Sequence, residues 1–107
     1  MDERKKLPKV LKDAVRSRQK HRCAACFNLG RHFHHVVARA IDESQELNYY
    51  NIIMLCKDHH KLFHLGDPET IQTIYEYAWY VQTGKLPEHM DLMEISKQVH
   101  KFIRGND

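Results

Sequence analysis

The sequence predicts an α+β domain, with strand–loop–strand–helix at its centre and helices on either side. Three observations carry that expectation. Two runs of strand length, Arg31 to Val37 and Ile52 to Leu55, frame a polar loop. Apolar stripes at helical spacing precede the first run and follow the second. Cys23-x-x-Cys26 and Cys56-x-x-His59 lie beside the two runs, each with the spacing of half a metal site.

The elements follow in order. Residues 1 to 6 are polar and expected to fray, and Pro8 suits the first turn of a helix. Val10, Leu11, Ala14 and Val15 give that helix an apolar stripe, with Lys9, Lys12, Arg16 and Lys20 elsewhere on it. Cys23 to Cys26 forms a tight knuckle. The loop from Ala40 to Tyr50 is polar and mixed. Lys57 to Leu65 reads as a helix stopped by Gly66. Asp67-Pro68 starts the next helix, with Asp as cap and Pro in the first turn. Its stripe is Ile71, Ile74, Tyr75, Ala78 and Val81, and Gly84 ends it. Asp91 and Glu94 resemble a capping box for a last helix, whose stripe is Leu92, Ile95, Val99, Phe102 and Ile103 and whose stop is Gly105.

A chain of 107 residues suits one domain with a modest core. It is divided as a basic N-terminal helix (1–20), a metal clip with the strand pair and helix (21–65), and a helical extension (66–107). There is no internal repeat, low-complexity segment or linker. No run is long and apolar enough to cross a membrane, and no apolar stretch follows the charged N-terminus, so a cytoplasmic protein without a membrane partner is expected.

The net charge of +3 is unevenly spread. Residues 1–20 hold eight Lys/Arg against three Asp/Glu, a balance of +5. Residues 21–65 stand at +1 and residues 66–107 at −3. A basic arm ahead of a metal-ligand segment suits a polyanion, with Lys12, Arg16 and Lys20 as phosphate-backbone candidates; a solvated, highly charged helix face is the plainer explanation.

Three cysteines cannot all pair as disulfides, and two lie two residues apart, which favours thiolate ligation in a reducing compartment. Cys23, Cys26, Cys56 and His59 make a C-x2-C…C-x2-H set. Two such pairs complete a tetrahedron with no open position, so a structural Zn²⁺ that staples a small core is expected. His60 lies next to His59 and is an alternative fourth ligand.

A second set interleaves with the first. His60 and His64 are four apart on the expected helix and point the same way. With His34 from the strand they can hold one divalent ion and leave positions for water and a phosphate oxygen. His35 is the general-base candidate, since an imidazole titrates near neutral pH. Asn51 is placed to fix its tautomer by a hydrogen bond. The catalytic candidates are thus His35, Asn51 and His60, the last doubling as a ligand. Successive residues of a regular strand face opposite ways, so His34 and His35 share a site only where the strand bends or ends.

The order His-His…Asn…His-x3-His, wrapped in "CAAC", "HFHHV", "NIIMLC" and "KDHHKLFH", resembles the HNH endonuclease family of the ββα-metal fold. The match runs from about His21 to His64, under half of the chain. The resemblance implies a ββα-metal core with a zinc-stapled knuckle. It implies His35 as the base, Asn51 as the residue positioning it and the hairpin, and His34, His60 and His64 around the catalytic metal. It also implies the Cys23, Cys26, Cys56 and His59 zinc site. Small stand-alone members are often phage or prophage nucleases. The chain departs from the family pattern at His59, where many relatives have cysteine, at Ala38 in place of a common proline, and at "IDESQELNYY", where a glycine-rich turn is usual.

The function this implies is metal-dependent hydrolysis of DNA, single- or double-stranded, with weak sequence preference, leaving 5′ phosphate and 3′ hydroxyl. Arg39 and Lys61 are further phosphate contacts near the site. Histidine ligands suit Mn²⁺, Ni²⁺, Co²⁺ or Zn²⁺ better than Mg²⁺, although availability in the cell also decides. Two rivals stand beside this reading. One is a non-catalytic zinc module that binds nucleic acid. The other is a protein-interaction adaptor that uses Tyr75, Tyr77, Trp79 and Tyr80, with a homodimer or a phage DNA-processing protein as partner.

Overall fold

The computed structural model describes residues 7–105. The expectation for residues 1–6 lies outside them. Pro8 stands at the N-cap of α1 (Lys9–Arg18), one position before the first turn. A knuckle then leads into β1 (His32–His35), which pairs antiparallel with β2 (Ile52–Leu55), matching His32 with Leu55 and His35 with Ile52. The helices α2 (Lys57–His64), α3 (Pro68–Thr83) and α4 (Leu92–Arg104) follow. Among the described residues the result is an α+β domain of four helices around one two-stranded hairpin.

β1 is shorter than the run Arg31 to Val37 suggests, and Asn51 is the reason. Val36 N–H donates to the Asn51 carbonyl at 2.9 Å and Val37 N–H to Asn51 Oδ1 at 2.6 Å, so the chain turns away from β2 after His35. The Ala40 to Tyr50 loop contains two single 3-10 turns, Glu43–Gln45 and Tyr49–Asn51, capped by the side chains of Asp42 and Asn48.

β2 is buried on both faces, as an unbroken Ile-Ile-Met-Leu run requires. Ile52 and Met54 pack with Val15, Leu11 and Phe33 under α1. Ile53 and Leu55 turn the other way, into a larger core with Val37, Ile74, Ala78, Ile95, Val99 and Ile103. Close packing dictates Gly30: a Cβ there would lie 2.5 Å from Met54 Cγ. The side chain of Gln19 lies along β2, donating to Met54 O at 2.8 Å and accepting from Met54 N–H at 2.7 Å. Arg18 also ties α1 to the hairpin, through the carbonyls of Tyr49 and Ile52 and by stacking on the Tyr49 ring.

The later helices end where their caps place them. Asp67 accepts from Thr70 N–H at 3.0 Å and Asp91 from Glu94 N–H at 2.9 Å. Gly84 stops α3 with φ +75°, a left-handed conformation that costs glycine little. Tyr75, Tyr77 and Trp79 pack against the larger core, leaving Tyr80 of that aromatic group exposed. That removes most of the surface the adaptor reading needs. No described helix is long and apolar enough to cross a membrane.

Candidate metal centres and their cleft

Cys23 leaves the knuckle and Cys56 caps α2, whose first turn carries His59. The ligand atoms of Cys23, Cys26, Cys56 and His59 all lie within 4.8 Å of one another. Cys26 Sγ and Cys56 Sγ are 3.8 Å apart, and His59 Nδ1 stands 3.3 Å from Cys56 Sγ and 3.9 Å from Cys23 Sγ. Zn–S bonds of about 2.3 Å give a tetrahedral S···S edge of about 3.8 Å, and an S···N edge slightly shorter. The cluster therefore has the dimensions of a Cys3His zinc site. A disulfide is excluded at that separation, and all three thiols are free.

Backbone amides already point at the sulfurs. Ala25 N–H donates to Cys23 Sγ at 3.3 Å and His59 N–H to Cys56 Sγ at 3.4 Å. Among the protein groups alone, burial pushes the Cys23 thiol up to about 11. Burial also acts on Cys56, but the hydrogen bonds from His59 outweigh it and bring that thiol down to about 7. A cation is what three converging thiols need in order to ionise together beside a neutral imidazole.

His60, one step along α2, turns about 100° away from His59 and into a different group. That step resolves which of the two joins the cysteines. His60 Nε2 and His64 Nε2 are 3.2 Å apart, and a His34 ring nitrogen completes a second cluster within 4.8 Å. His34 is buried, with Phe63 edge-on at 4.4 Å. Its Nε2 is buried without a hydrogen-bond partner among the described residues, a cost that a ligated ion removes. Burial, followed by the neighbouring His60, His64 and His35, pushes His34 down to about 3. Burial, then His64 and His32, lowers His60 as well. Both rings are thereby held neutral, the form that binds metal. His32 stacks on His60 at 4.9 Å.

His34 and His35 share one cleft because β1 ends at His35. The cleft measures about 620 Å³ and also receives His60, His64, Arg39 and Glu46. His35 Nε2 lies 2.7 Å from the carbonyl oxygen of Glu46. Asn51 was expected to make the orienting bond to the imidazole, and it does not. Its amide is fully buried and bonds only to backbone, donating to Val37 O at 3.1 Å and Gln45 O at 2.9 Å. Asn51 is thus connected to His35 through the loop residue next to Glu46.

The basic candidates are scattered. Arg39 lines the cleft, with Glu43 at 3.4 Å and Glu46 at 3.8 Å from its guanidinium. Lys61 is exposed on α2 and does not line the cleft. Lys12, Arg16 and Lys20 belong to α1 and the turn after it, and α1 packs on the Ile52 and Met54 face of the hairpin, opposite His34. Arg16 is occupied with Asp13 at 3.2 Å and lies over the Phe33 ring.

Two cleft residues come from outside the motif segment: Tyr75 of α3 and His100 of α4. Nothing local marks them. Helical periodicity turns Tyr75 inward, but which helices close over the hairpin is decided by tertiary packing. No family model, curated protein or solved structure matches this chain. The Cys3His cluster and the hairpin followed by a helix are compatible with an HNH core.

Proposed function

We propose that this chain is an HNH-type, metal-dependent endonuclease that hydrolyses phosphodiester bonds in DNA. The observation that carries the reading is the His34, His60 and His64 nitrogen cluster, with the unpartnered buried Nε2 of His34, opening into the same cleft as His35. A bound divalent ion supplies Lewis-acid stabilisation of the phosphate charge and of the departing 3′ oxygen.

The protein's own contribution centres on His35. A carbonyl oxygen only accepts, so the bond to Glu46 O fixes the proton on Nε2. Nδ1 is then the basic atom of the neutral ring. It takes a proton from water as the water oxygen bonds to phosphorus. The bond from phosphorus to the 3′ oxygen breaks and that oxygen takes up a proton from solvent, leaving 5′ phosphate and 3′ hydroxyl. Asn51 holds the loop that presents Glu46 O, and so acts as a positioning residue. Cys23, Cys26, Cys56 and His59 hold a structural Zn²⁺ that fixes the start of α2, and with it the direction of His60 and His64. Arg39, at the cleft, is the nearest of the expected cations to an incoming phosphate.

Cleavage of supercoiled plasmid by zinc-loaded protein tests the reading, with Mg²⁺, Mn²⁺ or Ni²⁺ added in turn. Nicked or linear product from wild type and none from His35→Ala is expected. Failure of wild type to cut any DNA with any of these ions would leave a zinc-stapled binding module as the better account.

A further inference from the structure

The cleft does not end at the histidines. Tyr75 and His100 line it, and the same two residues line a second groove of about 710 Å³ on the outer side of α4. They are in direct contact, with Tyr75 Oη 3.0 Å from His100 Nε2. The two depressions therefore share this pair as a common rim.

The groove beyond the rim is cationic. Its cations Lys97, Lys101 and Arg104 fall at i, i+4 and i+7, one face of a helix, which His100 shares. Among the described residues no acidic side chain lines it, despite the −3 balance of residues 66–107. Arg104 gives its Nε–H to Asp42 at 3.1 Å, and its two Nη groups have no hydrogen bond among the described residues. Lys97 to Arg104 spans roughly 10 Å of helix, enough for neighbouring phosphates of one strand. The α1 cations Lys12, Arg16 and Lys20, by contrast, line neither depression.

Resting on the nuclease reading, we propose that the outer face of α4 is the track along which the nucleic-acid backbone leaves the cleft. Lys97 and Lys101 pair with successive phosphates, and Tyr75–His100 forms the step between cleft and track. Such contacts hold the backbone without reading bases.

The test is the salt dependence of binding to a fluorescein-labelled duplex of mixed sequence. It uses zinc-loaded protein with no second metal added, and wild type, Lys97→Ala/Lys101→Ala, Lys97→Arg/Lys101→Arg and Lys12→Ala/Lys20→Ala are compared. Lys97 and Lys101 are exposed, and equal zinc content and melting temperature check that the variants are folded. Loss of two phosphate contacts makes the slope of log K against log[salt] shallower by about 1.8. The double alanine variant should show that change and the double arginine variant should not. An unchanged slope in the α4 variant overturns the track, and a change confined to the α1 variant moves it to the other face. If plasmid is still cut in either case, the nuclease reading survives. If wild type neither binds nor cuts DNA, both fall together.

Discussion

The imidazole of His35 is held by the backbone, with Nε2 2.7 Å from the carbonyl oxygen of Glu46. Because that partner is a main-chain atom, no side-chain substitution in the loop removes it directly. The proposed base itself can be removed. His35→Ala is expected to lower the single-turnover cleavage rate by about 10²- to 10⁴-fold, the usual contribution of a positioned base. Zinc content should stay the same, and stability should change by no more than about 1 kcal/mol for the one lost hydrogen bond. A rate within threefold of wild type would assign the base elsewhere.

The fully buried side chain of Asn51 links three backbone groups, the N–H and C=O of Val37 and the C=O of Gln45. Asn51→Ala should destabilise the protein by ~3 kcal/mol, read from urea unfolding, because buried donors and acceptors are left unpaired. Asn51→Asp keeps the acceptor for Val37 N–H but sets a buried carboxylate against the Val37 and Gln45 carbonyl oxygens, so at neutral pH it should destabilise at least as much. If Asn51 also positions the base, the acidic limb of the pH–rate profile shifts in the Asp variant. A purely structural role leaves that limb where it is.

Adjacent residues of α2 belong to different ligand clusters, and elemental analysis of their variants separates the two. His59→Ala is expected to lose the zinc and the cooperative unfolding transition, since metal affinity here is folding energy on the order of 10 kcal/mol. His60→Ala should keep one zinc per chain and its fold while losing cleavage. Equal zinc loss in both variants would refute the division into two sites.

His100 contributes to the pH dependence of stability. Burial, and secondarily the Arg104 charge, hold its imidazole below the ordinary 6.5, and Tyr75 faces it from α3. The unfolded chain takes up that proton near 6.5 and the folded chain only at lower pH. The stability tied to neutral His100 is therefore complete above 6.5 and declines as pH falls beneath it. Between pH 7.5 and 5.5 the urea midpoint of wild type should drop further than that of His100→Gln. Effects of acid on the zinc site are common to both and cancel. Equal drops would remove His100 from the account.

Much of the framework was legible because the relevant signals are local. Asp67-Pro68, Asp91, Gly84 and Gly105 mark helix ends through the geometry of a cap. Ile52 to Leu55 reads as a strand because it is apolar throughout. C-x2-C, C-x2-H and H-x3-H bring ligands together through a turn or a single helical turn. The rest depended on long-range packing. Tyr75 and His100 enter the cleft only because α3 and α4 close over the hairpin at a particular angle. Glu46 contributes a carbonyl, which no side-chain pattern encodes. Arg18 belonged to a segment read as a basic arm, yet its guanidinium is used up on the carbonyls of Tyr49 and Ile52. Asn51 carries the right residue type for the site but reaches its effect through the loop rather than by touching the imidazole.

Gln19 has a consequence for the behaviour of the protein in concentrated solution. A hairpin of two strands leaves outward-facing amides that can recruit a strand from another molecule, which is how edge-to-edge aggregation begins. On the β2 side the Gln19 carboxamide already occupies both the N–H and the C=O of Met54. It imitates one residue of a third strand, supplied from a helix that cannot extend the sheet. The strand that is buried on both faces is thus also covered along that edge, by Gln19 at Met54, by the Ala24 N–H at the same carbonyl and by Arg18 at the Ile52 carbonyl.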